Sequence, residues 1–110
     1  MAYDEDLADR LRVALSGEDG VTDRRMFGGL AFMVNGNLAV SAIGQGGLLL
    51  RVDPAQTESI VEEDGVTRFR MRDREMNGWV HVDPTAVASD HQLERWVEVG
   101  IAHARSLPSK

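Results

Sequence analysis

The sequence predicts an α+β fold with a single antiparallel sheet of about five strands and helices at both ends. Three observations lead to this class: the ends of the chain read as amphipathic helices, short apolar runs fill the middle, and turn signals separate neighbouring runs. The predicted order of elements is α-β-β-β-α-β-β-α. A chain of 110 residues fits one domain, so we expect a single domain over residues 1–110.

Composition narrows the classes of function. Hydrophobic residues make up 43% and charged residues 27% of the chain, as in ordinary globular proteins. The chain has no cysteine, which excludes a disulfide framework, a thiol nucleophile and cysteine-ligated zinc or iron–sulfur centres. The acidic start lacks the features of a secretory signal, and no apolar run reaches the ~18 residues of a membrane span. We therefore expect a cytoplasmic protein without a membrane partner.

The first and last elements are predicted as helices with one apolar face each. The N-terminal helix runs from Asp4 to about Ser16 and has apolar residues at helical spacing. The C-terminal helix begins after Ser89, which forms a capping box with Gln92, and its apolar stripe reaches Ala104. Both helices are expected to cover the same face of the sheet.

The strands are predicted from apolar runs and from the glycines between them. Asn35-Gly36 between two apolar runs is the strongest signal, because a type I′ hairpin turn needs a positive φ at both residues. Gly28-Gly29 inside the first run indicates a β-bulge or the close approach of another backbone. The predicted strands, with approximate bounds, are 25–34, 37–43, 48–52, 67–72 and 79–82, with a loop or hairpin connection at 73–78.

Two aspartate–proline pairs predict helix starts that follow strands. Asp53 can cap a helix and Pro54 suits the first helical position, which predicts a helix ending near Glu63. Asp83-Pro84 repeats this signal and predicts a short helical turn.

Several motifs of the sequence follow one another in a fixed order. They are Arg25-Met26-Phe27-Gly28-Gly29, then Phe32 and Asn35-Gly36, then Leu48-Leu49-Leu50-Arg51-Val52-Asp53, then Trp79-Val80-His81-Val82-Asp83-Pro84. Each motif alone is weak evidence for a protein family. The ordered set, which covers nearly the whole chain, resembles the N-terminal domain of the TfoX/Sxy family.

The resemblance implies a small bacterial regulatory or protein-interaction domain with a fold similar to that of secretion-chaperone-like proteins. Larger members of that family regulate natural competence with a cyclic-AMP receptor protein at promoters, and they carry a second, helical C-terminal domain. This chain is expected to be a stand-alone N-terminal domain. The family-motif residues are expected to be structural: Arg25, Met26, Phe27, Gly28, Gly29, Asn35, Gly36 and Trp79.

The strand at 67–72 carries the candidate binding site. Its arginines alternate with Phe69 and Met71, which predicts that the apolar residues face the core and the arginines face solvent. Same-face residues of a strand lie about 6.7 Å apart, close to the spacing of nucleic-acid phosphates, and arginine pairs well with phosphate or carboxylate. The candidate nucleic-acid or anion site consists of Arg68, Arg70, Arg72 and Arg74.

A plainer interpretation of the same arginines is a solvated strand face whose charges discourage edge-to-edge pairing. The net charge of −6 also disfavours nucleic acid, since nonspecific binding comes from the neutralisation of phosphates. We therefore expect a protein partner or self-association first, because a free sheet edge can pair with a second copy, and nucleic acid is the alternative partner.

The sequence contains no clear motif for phosphate binding, metal binding or nucleophilic catalysis. The glycines at 44–47 join a strand to a strand, whereas a phosphate-binding loop leads from a strand into a helix. The three histidines are widely separated, and no serine has an adjacent base or a recognisable elbow. We therefore expect no catalytic residue, no metal site and no cofactor. A small enzyme with an unrecognised site is the alternative.

Overall fold

The computed structural model describes residues 4–26, 28–44, 46–71 and 74–108. Within these segments, three helices and six strands alternate as helix, strands, helix, strands, helix. The helices are α1 (Glu5–Leu15), α2 (Thr57–Val61) and α3 (Asp90–Ser106). The strands are β1 (Val21–Met26), β2 (Gly29–Val34), β3 (Asn37–Ala42), β4 (Leu48–Arg51), β5 (Val66–Met71) and β6 (Arg74–Val82).

The described strands form one sheet in the order β1-β2-β3-β4-β6-β5. Every neighbouring pair is antiparallel. The predicted α+β class with a single antiparallel sheet is confirmed, with six strands where about five were expected. Strands β1 and β5 form the two opposite edges of the sheet.

The additional strand arises because the predicted strand at 25–34 is in fact two strands. β1 begins at Val21, inside a segment predicted as a loop, and β2 begins after a turn that contains Gly28 at a φ of +70°. Met26 pairs with Gly29 across this turn, so the glycine pair reverses the chain and does not form a bulge. The other expectation, close approach of a backbone, is confirmed, since a Cβ on Gly29 would overlap the carbonyl oxygen of Ala42.

The predicted Asn35-Gly36 hairpin is confirmed. The two residues have φ values of +53° and +83° and join β2 to β3. Positive φ at both positions is what a type I′ turn requires, and it matches the twist of the flanking strands. The next residue, Asn37, donates a side-chain hydrogen bond of 2.9 Å to the carbonyl of Pro108, which ties the hairpin to the segment after α3.

The second hairpin is longer than predicted. β6 already begins at Arg74, so the described part of the 73–78 connection is strand. The register between β5 and β6 shifts between Arg68 and Arg70, and Gly78 has a φ of +87° inside β6. The sequence does not predict the first part of β6, because the irregular register interrupts the alternation of apolar and polar residues on which strand prediction relies.

The helix caps predicted at Asp53, Asp83 and Ser89 are present, and Asp4, which was expected inside the first helix, is its cap. Asp4 Oδ1 accepts hydrogen bonds from two amides of the first turn of α1, at 3.0 and 3.2 Å. Ser89 and Gln92 form the capping box of α3. Asp53 and Asp83 each cap a 3₁₀ turn that begins at the following proline.

Helix α2 is shorter than the predicted 53–63 segment, because its first part is the 3₁₀ turn Pro54–Gln56 and it ends at Val61. Glu63, which follows α2, accepts two hydrogen bonds from the guanidinium of Arg95 on α3, at 2.6 and 2.8 Å. The guanidinium also lies 4.5 Å from the centre of the Trp96 ring. Arg95 therefore links α2 to α3.

The main core lies between one sheet face and helices α1 and α3, so both terminal helices cover the same face, as predicted. Gly100 lets α3 approach closely: a Cβ there would lie 2.7 Å from the carbonyl oxygen of Ala39 and 2.9 Å from Leu50. Trp96 is only 3% exposed and belongs to this core. Representative members of the core are Leu11, Phe32, Val40, Leu50, Val80, Trp96 and Val97.

The opposite face of the sheet carries a second buried cluster. Ala31, Ser41 and Leu49 lie side by side on β2, β3 and β4, and all three are fully buried. Ser41 donates its hydroxyl to the carbonyl of Leu30, which satisfies the buried polar group. The cluster consists of Ala31, Leu38, Ile43, Leu49 and Phe69, with Met26 and Trp79 half-buried against it. The sheet is therefore packed on both faces.

Candidate interaction surfaces

Arg68 lies where the sequence placed it, on β5, but it has contacts within the fold. Its Nη1 donates to Asn77 Oδ1 at 3.2 Å, and its Nη2 lies 3.9 Å from Glu58 Oε1 on α2. Arg68 pairs in register with Val80, a residue of the main core, so it projects on the helix-covered face of the sheet. Its side chain is 25% exposed. Arg68 therefore links α2 to the β5–β6 hairpin.

The other candidate arginines are distributed over both edges of the sheet. Arg70 and Arg74 are exposed on the β5–β6 hairpin, and Arg72 lies outside the described residues. Arg24 and Arg25 are exposed on β1, which is the opposite edge strand. The fold does not place the arginines of β1 and β5 in one continuous row.

The family-motif residues occupy the turns and the second cluster. Gly28 and Gly29 form the β1–β2 reversal described above, and Met26 packs on the second cluster. Trp79 packs on the same cluster, and the Arg51 guanidinium lies 5.4 Å from its ring centre. Arg25 is exposed, and Phe27 lies outside the described residues.

The three histidines lie apart. His81 Nε2 is 2.7 Å from the carbonyl oxygen of Gly46, so this nitrogen carries the proton and donates it. His91 is exposed and His103 is half-buried on α3. In the described segments, no group of three or more histidine or carboxylate side chains is arranged to hold a metal ion.

The surroundings of His103 lower the pKa of its imidazole. Burial lowers the pKa of its imidazole below the ordinary value, the positive charge of Arg51 lowers it further, and Asp53 acts in the opposite direction. Burial has this effect because it disfavours the charged form of the ring.

We expect acidification to destabilise the fold through His103. Its folded pKa lies below the value of about 6.5 for an unfolded histidine. The stabilisation is therefore fully present above that value and is lost as the pH falls through the lowered folded pKa. Urea denaturation between neutral and mildly acidic pH measures this loss. A His103→Gln variant should show a smaller loss than the parent chain. An equal loss in the two chains would contradict the assignment.

A groove of about 520 Å³ lies between α1 and α3. Its most unusual residue is Val13, which is 75% exposed and is the one exposed large hydrophobic side chain among the described residues. A smaller space of about 90 Å³ continues the groove along α3 past Val97 and Ile101. The groove is lined by Asp9, Arg10, Val13 and Ala14 of α1 and by Asp90, Leu93 and Glu94 of α3.

Two ion pairs join α1 and the segment that follows it to α3, and three of their four residues line the groove or its smaller continuation. Arg10 of α1 lies 3.3 Å from Asp90 at the start of α3. Arg105 near the end of α3 lies 3.0 Å from Glu18, which follows α1. The order of these contacts along the chain shows that the two helices run in the same general direction, with the middle of α1 beside the start of α3.

The groove carries negative charge that the fold does not neutralise. Glu94 and Glu98 are exposed on α3, one helical turn apart, and both line the smaller space. Within the described part of the chain, neither forms an ion pair, while Asp9 is held by Arg12 at 2.6 Å. Like charges at this spacing slightly destabilise a helix. Helix stability therefore does not explain the two glutamates.

The amino-acid sequence alone does not reveal the groove. The apolar stripe of α1 was assigned to the core, and Leu7, Leu11 and Leu15 are indeed buried there. Val13 lies off that stripe, and an apolar residue on the polar face of an amphipathic helix was the signal that could have been used. The partner wall comes from α3, nearly eighty residues later, which only the fold reveals.

Comparison with protein families gives the identity of the domain. The family model for the TfoX N-terminal domain matches residues 14–104. The chain belongs to the TfoX N-terminal domain family. Comparisons with curated proteins and with solved structures gave no match. The TfoX N-terminal domain is not a known enzyme family.

The residues that match the family model include the α3 wall of the groove but only part of its α1 wall. The match begins at Ala14, so the α1 residues Asp9, Arg10 and Val13 precede it, whereas the α3 wall lies within it. No helix in the described ranges is both long and apolar enough to cross a membrane.

Proposed function

We propose that this TfoX N-terminal domain is a regulatory protein-interaction domain of the bacterial cytoplasm, and that its partner binds in the groove between α1 and α3. The observation that carries the proposal is the 75% exposure of Val13 in a groove between two helices. Val13 lines the groove together with Ala14 and Leu93, and a contiguous apolar patch with a polar rim is typical of a binding surface.

The anchoring of the groove supports the proposal. Leu11 and Leu15 fix α1 to the core, while Gly100 and Trp96 fix α3. Two ion pairs, Arg10–Asp90 and Arg105–Glu18, add contacts between the helices. A preformed surface loses little conformational freedom when a partner binds, so more of the contact energy appears as affinity.

The alternative proposal is a nucleic-acid-associated transcription or competence regulator that uses the arginines of the β5–β6 hairpin. Arg70 and Arg74 are exposed there. This role predicts binding that weakens steeply with salt and falls when the candidate arginines become alanine. The net charge of −6 and the internal contacts of Arg68 favour the groove proposal instead.

Photocrosslinking in the native cell tests the proposed function. We expect benzoylphenylalanine in place of Val13 to crosslink one protein, and the same group in place of the exposed Ser59 to crosslink none in common with it. The purified partner should then bind the whole chain in solution. A Val13→Gln variant should bind it about tenfold more weakly, because central apolar contacts dominate interface energetics.

The same variants and crosslinking positions define the results that would contradict the groove proposal. Val13→Gln should leave the urea midpoint unchanged, since the side chain is exposed. A partner that binds Val13→Gln as tightly as the parent would contradict the proposal. Crosslinks to nucleic acid from position 70, without protein crosslinks from position 13, would favour the alternative. A crosslinked second copy would identify self-association.

A further inference from the structure

We infer that the occupant of the α1–α3 groove is a basic amphipathic helix of a partner protein, which presents two cationic side chains, one turn apart, to Glu94 and Glu98. This inference rests on the proposed function and specifies the chemistry of the partner. It follows from the shape of the groove, the spacing of its carboxylates and its charge balance.

The groove has the shape that accepts a helix. Its apolar lining includes Val13, Ala14 and Leu93, and the smaller space continues along α3 beside Val97 and Ile101. The α3 residues that line the two spaces run from Asp90 to Ile101, a stretch of about 16 Å at 1.5 Å per residue. A groove of this length takes the apolar face of a helix of about three turns.

The carboxylates match the repeat of a helix. Glu94 and Glu98 are four residues apart on α3, so they are separated by about 6 Å along the axis. Two lysines or arginines four residues apart on a second helix have the same separation. A helix that lies along the groove can therefore place one cation against each glutamate.

The charge balance selects a basic occupant over the other candidates. The arginines beside the groove are already engaged, since Arg10, Arg12 and Arg105 pair with acidic groups of the chain itself. Glu94 and Glu98 are left uncompensated, and an apolar or acidic partner would strip water from them without replacing it. A second copy docked through the same face would bring like charges together, and nucleic acid would be repelled.

Binding of synthetic peptides to the whole chain tests the inference. The probe is a fluorescein-labelled, 16-residue leucine–lysine peptide with an amphipathic helical pattern, and its comparison peptide has glutamate at every lysine position. Fluorescence anisotropy at low and high salt gives the affinities. We expect the basic peptide to bind at least tenfold more tightly than the acidic one.

Charge-removing variants assign the binding to the groove. The double variant Glu94→Gln with Glu98→Gln should bind the basic peptide about tenfold more weakly, because two ion pairs are lost. A control double variant with the same change in net charge, Glu62→Gln with Asp64→Asn, should lose less than twofold; both of its positions are exposed beyond α2.

The outcomes separate the inference from the proposed function. Equal weakening in the two double variants would show a general charge effect and would overturn the inference. Equal binding of the acidic peptide would overturn it as well. If no peptide binds but Val13→Gln still weakens the native partner, then the groove is the binding site and the basic-helix assignment is wrong. If Val13→Gln has no effect on that partner, the proposed function fails too.

Discussion

Gly29→Ala should lower the free energy of unfolding by about 3 kcal/mol. The added Cβ would overlap the carbonyl oxygen of Ala42 and would lie 2.8 Å from the Cα of Ile43. Both groups are backbone atoms of the neighbouring strand region, so a side-chain rotation cannot relieve the contact. Urea denaturation monitored by tryptophan fluorescence measures the change.

The matched control is Gly17→Ala. Gly17 has no atom within 4 Å of a built Cβ, and its φ lies outside the left-handed region. Its substitution should change stability by less than about 0.5 kcal/mol. If Gly29→Ala were as stable as Gly17→Ala, the close β2–β3 approach described here would be wrong. Should Gly29→Ala not fold, a Gly29→Ala chain rescued by added osmolyte still gives the comparison.

Leu49→Ala should lower the free energy of unfolding by about 3 kcal/mol. Leu49 is fully buried at the centre of the second cluster, between Ser41 of β3 and His81 of β6 in register. Removal of its side chain leaves a cavity that the flanking strands cannot fill. Thermal and urea unfolding of the purified variant provide the measurement.

Leu50→Ala is the companion variant, since Leu50 is equally buried on the other face of the same strand. If both sheet faces are packed, the two losses should be similar. A sheet with one open face predicts a loss at Leu50 and almost none at Leu49. That result would contradict the second cluster.

The elements that the sequence predicted well are those with local signals. The Asn35-Gly36 turn, the Asp53 cap and the Ser89–Gln92 box depend on a few neighbouring residues, and each is present. β1 was missed because its Thr22–Arg25 segment is exposed on an edge and carries no apolar alternation. Pairing with β2 specifies this strand more than its own sequence does.

The candidate binding surfaces also differ in whether they depend on neighbouring residues or on distant parts of the chain. The arginines of β5 were visible because alternation is a local pattern, yet the contacts of Arg68 with Glu58 and Asn77 depend on α2 and on the β6 register. The groove depends on two helices from opposite ends of the chain. Its walls come together because Gly100 allows α3 to lie against the β3 backbone beside α1.

The core packing and the groove are therefore parts of one arrangement. The buried faces of α1 and α3 hold the helices on the sheet, and the faces left exposed form the groove. A substitution in the core can thus alter binding by shifting a helix. Substitutions at Val13, Glu94 and Glu98 change the groove surface without removing a core contact.

Hydrogen–deuterium exchange of the whole chain, free and bound to its purified partner, tests the central claim most directly. The account predicts that a bound partner slows exchange in α1 and the first half of α3 and leaves the β5–β6 hairpin unchanged. Protection confined to β5 and β6, with α1 and α3 exchanging as in the free chain, would contradict it.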